Sequence, residues 1–308
     1  MSASLPRPNP GDVHRDPPLP GPPVGERSRS PDSEGSVVHS PLDPRSQVAG
    51  RLPRMESPLV LALDTDDLEQ ALAWSRAAGE AAGMVKAGLE LFGAAGPAAV
   101  AALAGDGRRV MLDLKLHDIP ATVAGGMRAA ARAGAELVTV HALGGPAMLE
   151  AAVEAAGDRC RVAAVTILTS AAPADLAAAG LPPAAESVPR LAALAVRSGC
   201  QAVVCSPLEA AALRSQLGPT VELICPGVRP AAGLSSKDDQ SRVATPAQTM
   251  AAGATRIVVG RPITRSDDVG AAAREVRDQA LAAGSKEGGD ERANRPKALD
   301  SEGRFDAL

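Results

Sequence analysis

Aromatic side chains are almost absent from this 308-residue chain, which contains two Phe, one Trp and no Tyr. Proteins that bind single-stranded nucleic acids stack the bases on aromatic rings, and this chain has too few rings for such platforms. The formal net charge is −4, and acidic and basic residues are spread along the sequence. No basic face for a polyanion is therefore expected, and both features argue against nucleic-acid binding.

Long apolar runs are also lacking. No run approaches the ~20 residues that span a bilayer, and the N-terminus has no apolar stretch typical of a signal peptide. The four cysteines form no Cys-x-x-Cys pair, which predicts reduced thiols in the core. We therefore expect a cytoplasmic protein with no membrane contact. The four are Cys160, Cys200, Cys205 and Cys225.

Residues 1–54 lack any periodic apolar pattern, and 11 of the 27 prolines lie in the first 50 residues. Such a segment buries too little apolar area to offset its ordering entropy, so a disordered extension is predicted. Met55 stands just before the first predicted strand. The extension is therefore expected to be dispensable or to reflect start-codon choice. The polar tail, residues 285–308, is predicted to be frayed.

From residue 55 to 284, short apolar runs alternate with Ala-rich amphipathic segments. Parallel strands buried on both faces read as continuous apolar runs, and each needs a crossover helix. Eight such units in about 230 residues are typical of a single (β/α)8 TIM barrel of the α/β class. A doubly wound open sheet is the alternative, but the glycine fingerprint expected after its first strand is missing. The predicted strands are Leu59–Leu63, Gly83–Ala87, Arg109–Leu114, Leu137–Val140, Val162–Leu168, Ala202–Cys205, Val221–Cys225 and Arg256–Val259. The clearest helical patterns are Leu68–Ala81, Ala121–Ala133, Pro146–Ala156, Val188–Ser198 and Pro207–Leu217.

Polar residues follow the predicted strands repeatedly. In a barrel, functional groups collect at the carboxyl ends of the strands and in the loops that follow them. These side chains are therefore predicted to form one rim. They are Asp64, Lys86, Asp113, Lys115, Thr169, Ser170, Arg229 and Arg261, with Gly260 beside the last.

Asp113 and Lys115 are two residues apart, so on a regular strand both project to the barrel mouth while Leu112 and Leu114 point outward. Lys86 on the adjacent strand lies beside them in this arrangement. Alternating charges keep a lysine protonated in a shielded site. The alternative is an ion-pair network that only closes the barrel. Burying several charges for stability alone is a poor arrangement, which favours a functional site.

Two loops are suited to a phosphate. Pro226–Pro230 follows the seventh strand and Gly260–Pro262 follows the eighth, the two positions where barrels frequently bind phosphate. Arg229 and Arg261 add planar donors for phosphate oxygens. The alternative is a pair of surface arginines in turns. The segment Arg229–Thr245 has no periodic pattern, and its length predicts a mobile lid.

Seven motifs, in this order and spacing, resemble the orotidine 5'-phosphate decarboxylase family over about residues 57–280. The resemblance implies a metal-free and cofactor-free barrel that converts orotidine 5'-phosphate to uridine 5'-phosphate and CO2, the last step of de novo pyrimidine nucleotide synthesis. The third motif is the most specific. The motifs are Ala62–Asp64, Val85–Gly88, Asp113–Pro120, Val165–Ser170, Pro226–Pro230, Asp239–Gln240 and Gly260–Pro262.

The resemblance also implies catalytic roles. Asp64 and Lys86 bind ribose hydroxyls, Asp113 lies against the substrate carboxylate, and Lys115 donates the proton to pyrimidine C6. A homodimer with shared active sites is implied, because Asp118 of the partner subunit completes a set of alternating charges with Lys86, Asp113 and Lys115. We call Lys86, Asp113, Lys115 and Asp118 the charge array.

Binding roles are implied for the remaining motif residues. Thr122 of the partner subunit helps to bind ribose, and Thr169, with Ser170, recognises the pyrimidine ring. The phosphate is held by Arg229, Gln240, Gly260 and Arg261, with Gln240 reaching it from the lid. His117 and His141 belong to the motifs but are predicted to be structural.

Two alternatives stay open on the sequence. One is a magnesium-dependent sugar-phosphate aldolase or decarboxylase of the same barrel superfamily, which shares Asp-x-Lys-x-x-Asp. Retained activity in excess chelator would separate the two. The other is an inactive barrel that binds nucleotides as a sensor, for which loss of a charge-array residue would be the signal. All four are present.

Overall fold

The computed structural model describes residues 57–230 and 244–282. Eight parallel strands close into a barrel in sequential order, with β1 paired to both β2 and β8. The predicted single (β/α)8 barrel is confirmed, and the open doubly wound sheet is excluded. The strands are β1 Leu59–Ala62, β2 Met84–Ala87, β3 Val110–Leu116, β4 Leu137–His141, β5 Arg161–Val165, β6 Ala202–Val204, β7 Glu222–Cys225 and β8 Arg256–Val259.

Helices cover the outside of the barrel, and six of those that the structure describes carry proline in their first turn. Proline fits there because the first amides of a helix have no intrahelical acceptor. The helices are α1 Leu68–Ala78, α2 Leu89–Ala95, α3 Pro97–Gly105, α4 Pro120–Ala133, α5 Gly145–Ala156, α6 Pro173–Ala178, α7 Ala184–Arg197, α8 Ala210–Leu217, α9 Pro246–Ala251, α10 Arg261–Thr264 and α11 Val269–Leu281.

The predicted boundaries differ from the structure at several places. The fifth apolar run continues to Leu168, but β5 ends at Val165 because the next residues form a loop, in which Ile167 is still buried. Conversely, β3 continues to Leu116, beyond the predicted end. Helix α7 begins four residues early and contains Pro189 in its interior. An apolar run indicates that residues are buried but not that they form a strand. Residues in a loop at the barrel mouth, such as Ile167, can be buried as well.

The core has two layers, both filled by aliphatic side chains. The outer layer lies between the strands and the helices, where alanines let the elements approach closely. The inner layer fills the barrel, so the space below the mouth is packed rather than open. It consists of Val60, Ala62, Met84, Met111, Leu137, Ala163, Val165, Ala202, Val204, Ile224 and Val258.

The amino ends of the strands carry a chain of alternating charges that was not predicted from the sequence. Glu136 accepts from Arg109 at 2.6 Å and from Arg161 at 3.2 Å. Glu222 accepts from Arg161 and from Arg256. This ion-pair chain closes the end of the barrel opposite the mouth.

Loss of Glu136 should alter the acid sensitivity of the fold. The hydrogen bond from Arg109 lowers the pKa of Glu136 below its ordinary value, although burial opposes the shift. Its contribution to the free energy of unfolding is therefore complete above the unfolded-state pKa and is lost as pH falls through the folded-state pKa. Glu136→Gln is expected to destabilise at neutral pH, with the difference from wild type shrinking in acid. Denaturant unfolding across about pH 7 to 3 measures this.

The exposed Glu150→Gln on α5 is the matched control and should leave the curve unchanged. A constant offset between Glu136→Gln and wild type at every pH would contradict the assignment.

Several predictions lie outside the described residues. These are the 1–54 extension, the 285–308 tail, the greater part of the lid and Gln240. The domain boundaries at 54 and 284 stay predictions. Among the described helices, none is long and apolar enough to cross a membrane.

Candidate active site

Four charged side chains form a continuous chain of contacts at the carboxyl ends of β1, β2 and β3. Lys86 Nζ lies 3.1 Å from Asp64 Oδ1 and 3.5 Å from Asp113 Oδ2. Lys115 Nζ lies 2.9 Å from Asp113 Oδ1. The structure thus brings together the three charge-array residues expected from one chain. It adds Asp64, predicted at the same rim, as their neighbour.

Asp113 is the centre of this group, because it contacts both ammonium groups. Burial would raise the pKa of Asp113. The charges of Lys86 and Lys115, and hydrogen bonds from Lys115 and Thr139, instead hold that pKa below its ordinary value. The carboxylate is therefore ionised at neutral pH, although only 13% of its side chain is exposed. A negative charge is fixed between two positive ones.

The sequence predicted the position of Lys115 correctly, but it did not predict the backbone conformation of this residue. The register between β3 and β4 shifts between Leu112–Val138 and Leu116–Val140, so β3 bulges, although its side chains still alternate between the two faces. Lys115 has φ +50°, the left-handed region that residues other than glycine rarely adopt. The two-residue period therefore holds for the side chains, and the bulge adds a backbone conformation that the period does not reveal.

The outward orientation of the leucines is confirmed. Leu112, Leu114 and Leu116 line an apolar cavity of about 240 Å³ on the outer side of β3. The side chains of β3 therefore keep the predicted alternation across the bulge, with the leucines outside the barrel and both charged residues inside.

Two adjoining cavities open on the charged group. The first, which we call the arginine cavity, has a volume of about 420 Å³ and is lined by Arg229, Gly260, Arg261 and Arg265 together with Asp64, Lys86 and Asp113. The second, the threonine cavity, has about 210 Å³ and is lined by Thr169, Ser170 and Leu168 with Lys115. Lys86 and Asp113 line both cavities. A ligand with an anionic end and a neutral ring would span them with its centre beside the charges.

The loops after β7 and β8 shape the arginine cavity as the sequence predicted. Arg229 is 8% exposed, and its amide donates to the carbonyl of Ala244 at 3.1 Å. Gly227 has φ +78°, which permits the turn into this loop. Arg265, the residue after α10, lines the same cavity and was missed, since its only signal was a spacing of four residues from Arg261.

Gly88 has a steric role in the site. A Cβ atom at this position would lie 3.0 Å from Lys86 Nζ and 3.3 Å from Asp64 Oδ1. A side chain here would therefore press on the ion pair and shift it by a few tenths of an ångström, which favours glycine at the end of the second motif.

His117 and His141 stack at the edge of the site, with ring centroids 5.3 Å apart. Burial lowers the pKa of His141, and the nearby His117 and Lys115 lower it further. A neutral ring packed on its neighbour fits the predicted structural role.

Thr139 on β4 is a site residue that the sequence analysis did not single out. Its hydroxyl donates to Asp113 Oδ1 at 2.9 Å and accepts from the Lys115 amide at 2.8 Å. The only signal was one polar residue between the two valines of β4.

Asp118 and Thr122 do not reach the charged group of their own chain. Both are exposed at the start of α4, and the Asp118 carboxylate accepts from the Ile119 amide at 2.6 Å. Within the described residues, 57–230 and 244–282, no group of three or more His, Cys, Asp or Glu side chains could hold a metal ion. The metal-free prediction remains to be tested by experiment.

Comparison with known proteins decides the family. A family model described as the orotidine 5'-phosphate decarboxylase / HUMPS family matches residues 57–276. The chain belongs to this family. The resemblance seen in the motifs is thereby confirmed.

Similar proteins carry one activity in their names. An orotidine 5'-phosphate decarboxylase of Thermobifida fusca is 52% identical over 221 residues, covering 71% of this chain and 94% of that protein. One from Anaeromyxobacter sp. (strain K) is 54% identical over 217 residues, covering 70% and 94%. The crystal structure of orotidine 5'-phosphate decarboxylase from Lactobacillus acidophilus superposes with a TM-score of 0.65 at 37% identity, covering 73% of this chain and 99% of that one.

Proposed function

We propose that the protein decarboxylates orotidine 5'-phosphate to uridine 5'-phosphate and CO2, the last step of de novo pyrimidine nucleotide synthesis. The observation that carries the proposal is the Lys115 ammonium held 2.9 Å from the Asp113 carboxylate where the two cavities meet. The names of the similar proteins support the same reaction.

The chemistry calls for a fixed cation at this point. Loss of CO2 leaves negative charge in the ring plane at C6, and no electron sink in the substrate delocalises it. The Lys115 ammonium stabilises that charge as it develops and then transfers a proton to C6. Asp113 beside the leaving carboxylate repels the ground state, and the repulsion is relieved as CO2 departs.

The two cavities divide the substrate between them. Thr169 and Ser170 would contact the pyrimidine, while Asp64 and Lys86 would bind the ribose hydroxyls. The phosphate would bind through Arg229 and Arg261 beside Gly260, where the charge and planar geometry of guanidinium groups suit phosphate oxygens. Gln240, proposed as a further phosphate ligand, lies outside the described residues. Binding energy at the phosphate, far from the bond that breaks, supports the chemical step.

We further propose a homodimer in which Asp118 and Thr122 of the partner subunit complete each site. Their exposure at the start of α4, beside an Ile119 that is 65% exposed, supports a surface that a second subunit covers. A cytoplasmic location is proposed as well, since the four cysteines are free and buried, as in a reducing compartment.

Shared sites predict complementation between two inactive variants. Lys115→Ala and Asp118→Ala proteins should each be inactive alone, because every site lacks one charge. In a mixed dimer one site carries both changes and the other carries neither. After subunit exchange at equal concentrations, about a quarter of the wild-type decarboxylase activity is expected. Mixtures that stay inactive although heterodimers form would contradict a shared site.

The reaction itself is tested by adding orotidine 5'-phosphate to purified protein in excess chelator and following the ultraviolet change. Full activity is expected, with uridine 5'-phosphate as product. Activity lost to chelator and restored by magnesium would favour the aldolase alternative. Binding of uridine 5'-phosphate without turnover would favour the nucleotide sensor. The names of the similar proteins do not favour the aldolase.

A further inference from the structure

The inner face of β4 carries one hydroxyl group that contacts the bulged part of β3, between Leu112 and Leu116. Thr139 is fully buried and is flanked in its strand by Val138 and Val140. Its single hydroxyl group makes two contacts, donating to the Asp113 carboxylate and accepting from the Lys115 amide. It therefore touches both members of the pair proposed to carry the chemistry.

Backbone pairing explains why a side chain is needed at this point. Between the paired positions Leu112–Val138 and Leu116–Val140, three residues of β3 lie opposite Thr139 alone. The ladder is disrupted in such a bulge, so buried amides need other acceptors. The Lys115 amide finds one in the Thr139 hydroxyl oxygen.

The same contact holds an uncommon backbone conformation. Lys115, with φ +50°, is the non-glycine residue with positive φ in the described part of the chain. Such conformations persist where the surrounding structure over-determines them. The hydroxyl fixes the amide of this residue and, through Asp113 Oδ1, the carboxylate that accepts from its ammonium at 2.9 Å. The hydroxyl oxygen of Thr139 thereby positions the backbone of Lys115 directly and its side chain through Asp113.

We propose that Thr139 is a positioning residue that holds Lys115 in its left-handed conformation and aligns the Asp113–Lys115 pair for proton transfer. Thr139 lines neither cavity and would not contact substrate. The proposal rests on the proposed function as far as the proton transfer is concerned. Its structural half, that the hydroxyl fixes Lys115, stands by itself.

Three substitutions separate positioning from packing. Thr139→Val keeps the shape and removes both hydrogen bonds, whereas Thr139→Ser keeps the hydroxyl and removes a methyl group. Thr249→Val is the matched control, since Thr249 is buried and its hydroxyl donates at 2.8 Å to the carbonyl of Thr245, the residue before α9. The kcat, the dissociation constant for uridine 5'-phosphate and the pH profile are measured for each.

Thr139→Val is expected to lower kcat about 10- to 100-fold, the range for losing a hydrogen bond to a charged group. Binding of uridine 5'-phosphate should stay within about threefold, because the phosphate and ring contacts are untouched. Thr139→Ser should recover most of the kcat, and Thr249→Val should match wild type. The Thr139 hydrogen bond helps to lower the pKa of Asp113, so its loss should move the acid limb of kcat to higher pH. Wild-type kcat in Thr139→Val, or no recovery in Thr139→Ser, overturns the proposal.

If Thr139→Val does not fold, Thr139→Cys replaces it, since a thiol is a weaker donor and acceptor, and an intermediate kcat is expected. Crystal structures of wild type and of the variant without the hydroxyl supply a readout independent of activity. Lys115 should leave positive φ and its Nζ should move by more than about 1 Å, a shift large enough to impair catalysis. An unmoved Lys115 overturns the proposal. An inactive wild type with a displaced Lys115 in the variant would instead refute the proposed function and leave the structural half intact.

Discussion

Lys115→Ala is expected to abolish decarboxylation, with kcat reduced by at least about 10⁴-fold, the combined scale of losing a proton donor and an electrostatic contact. The Lys115 ammonium lines the threonine cavity together with Lys86 and contacts Asp113 at 2.9 Å. Water admitted by the smaller alanine side chain carries no fixed charge. Fixed-time assays at high enzyme concentration measure the residual rate of decarboxylation.

Binding of uridine 5'-phosphate to the Lys115→Ala protein should remain within about tenfold of wild type, because the arginine cavity is unchanged. Arg132→Ala, which removes an exposed cation near the carboxyl end of α4, is the control and should leave kcat unaltered. Turnover near the wild-type rate in Lys115→Ala would remove Lys115 from the mechanism. Loss of both turnover and binding would indicate collapse of the site instead.

Asp113→Asn is expected to lower kcat by about 10³-fold or more, the scale on which preorganised electrostatic groups act. The amide has the same shape, so packing is kept and only the charge is lost. Lys86 and Lys115 then face each other across a neutral group, without the carboxylate that contacts them at 3.5 Å and 2.9 Å. The ammonium loses its alignment, and the repulsion of the substrate carboxylate disappears.

Steady-state kinetics with thermal unfolding as a folding check measure this effect. Asp158→Asn, at an exposed position before β5, is the matched control and should behave as wild type. A loss in kcat of less than about tenfold, with the fold intact, would show that the negative charge between the lysines contributes little to the reaction.

The pattern of apolar runs along the chain determined the architecture. Eight apolar runs separated by amphipathic segments matched eight strands. A parallel strand that is buried on both faces is apolar along its whole length and is therefore recognisable in the sequence. The rim could also be predicted, because the carboxyl end of every barrel strand faces one side. Lys86 and Asp113 could therefore be assigned to the rim from their places near the carboxyl end of an apolar run.

Details that depend on neighbouring strands could not be predicted in this way. Thr139 reads as a polar interruption of β4, and its role exists only because β3 bulges opposite it. The ion-pair chain at the barrel floor is similar, since Glu136 and Glu222 are 86 residues apart in sequence and meet through Arg161. Each residue by itself looks like an ordinary charge before a strand.

The sequence by itself determined the barrel, the position of its functional rim and the kinds of groups gathered there, because those follow from periodicity and strand direction. Only the tertiary structure decided how Lys115 meets Asp113. The register shift between β3 and β4 and the left-handed backbone at Lys115 arise from pairing between two strands, and the regular alternation of residues along β3 gives no sign of them.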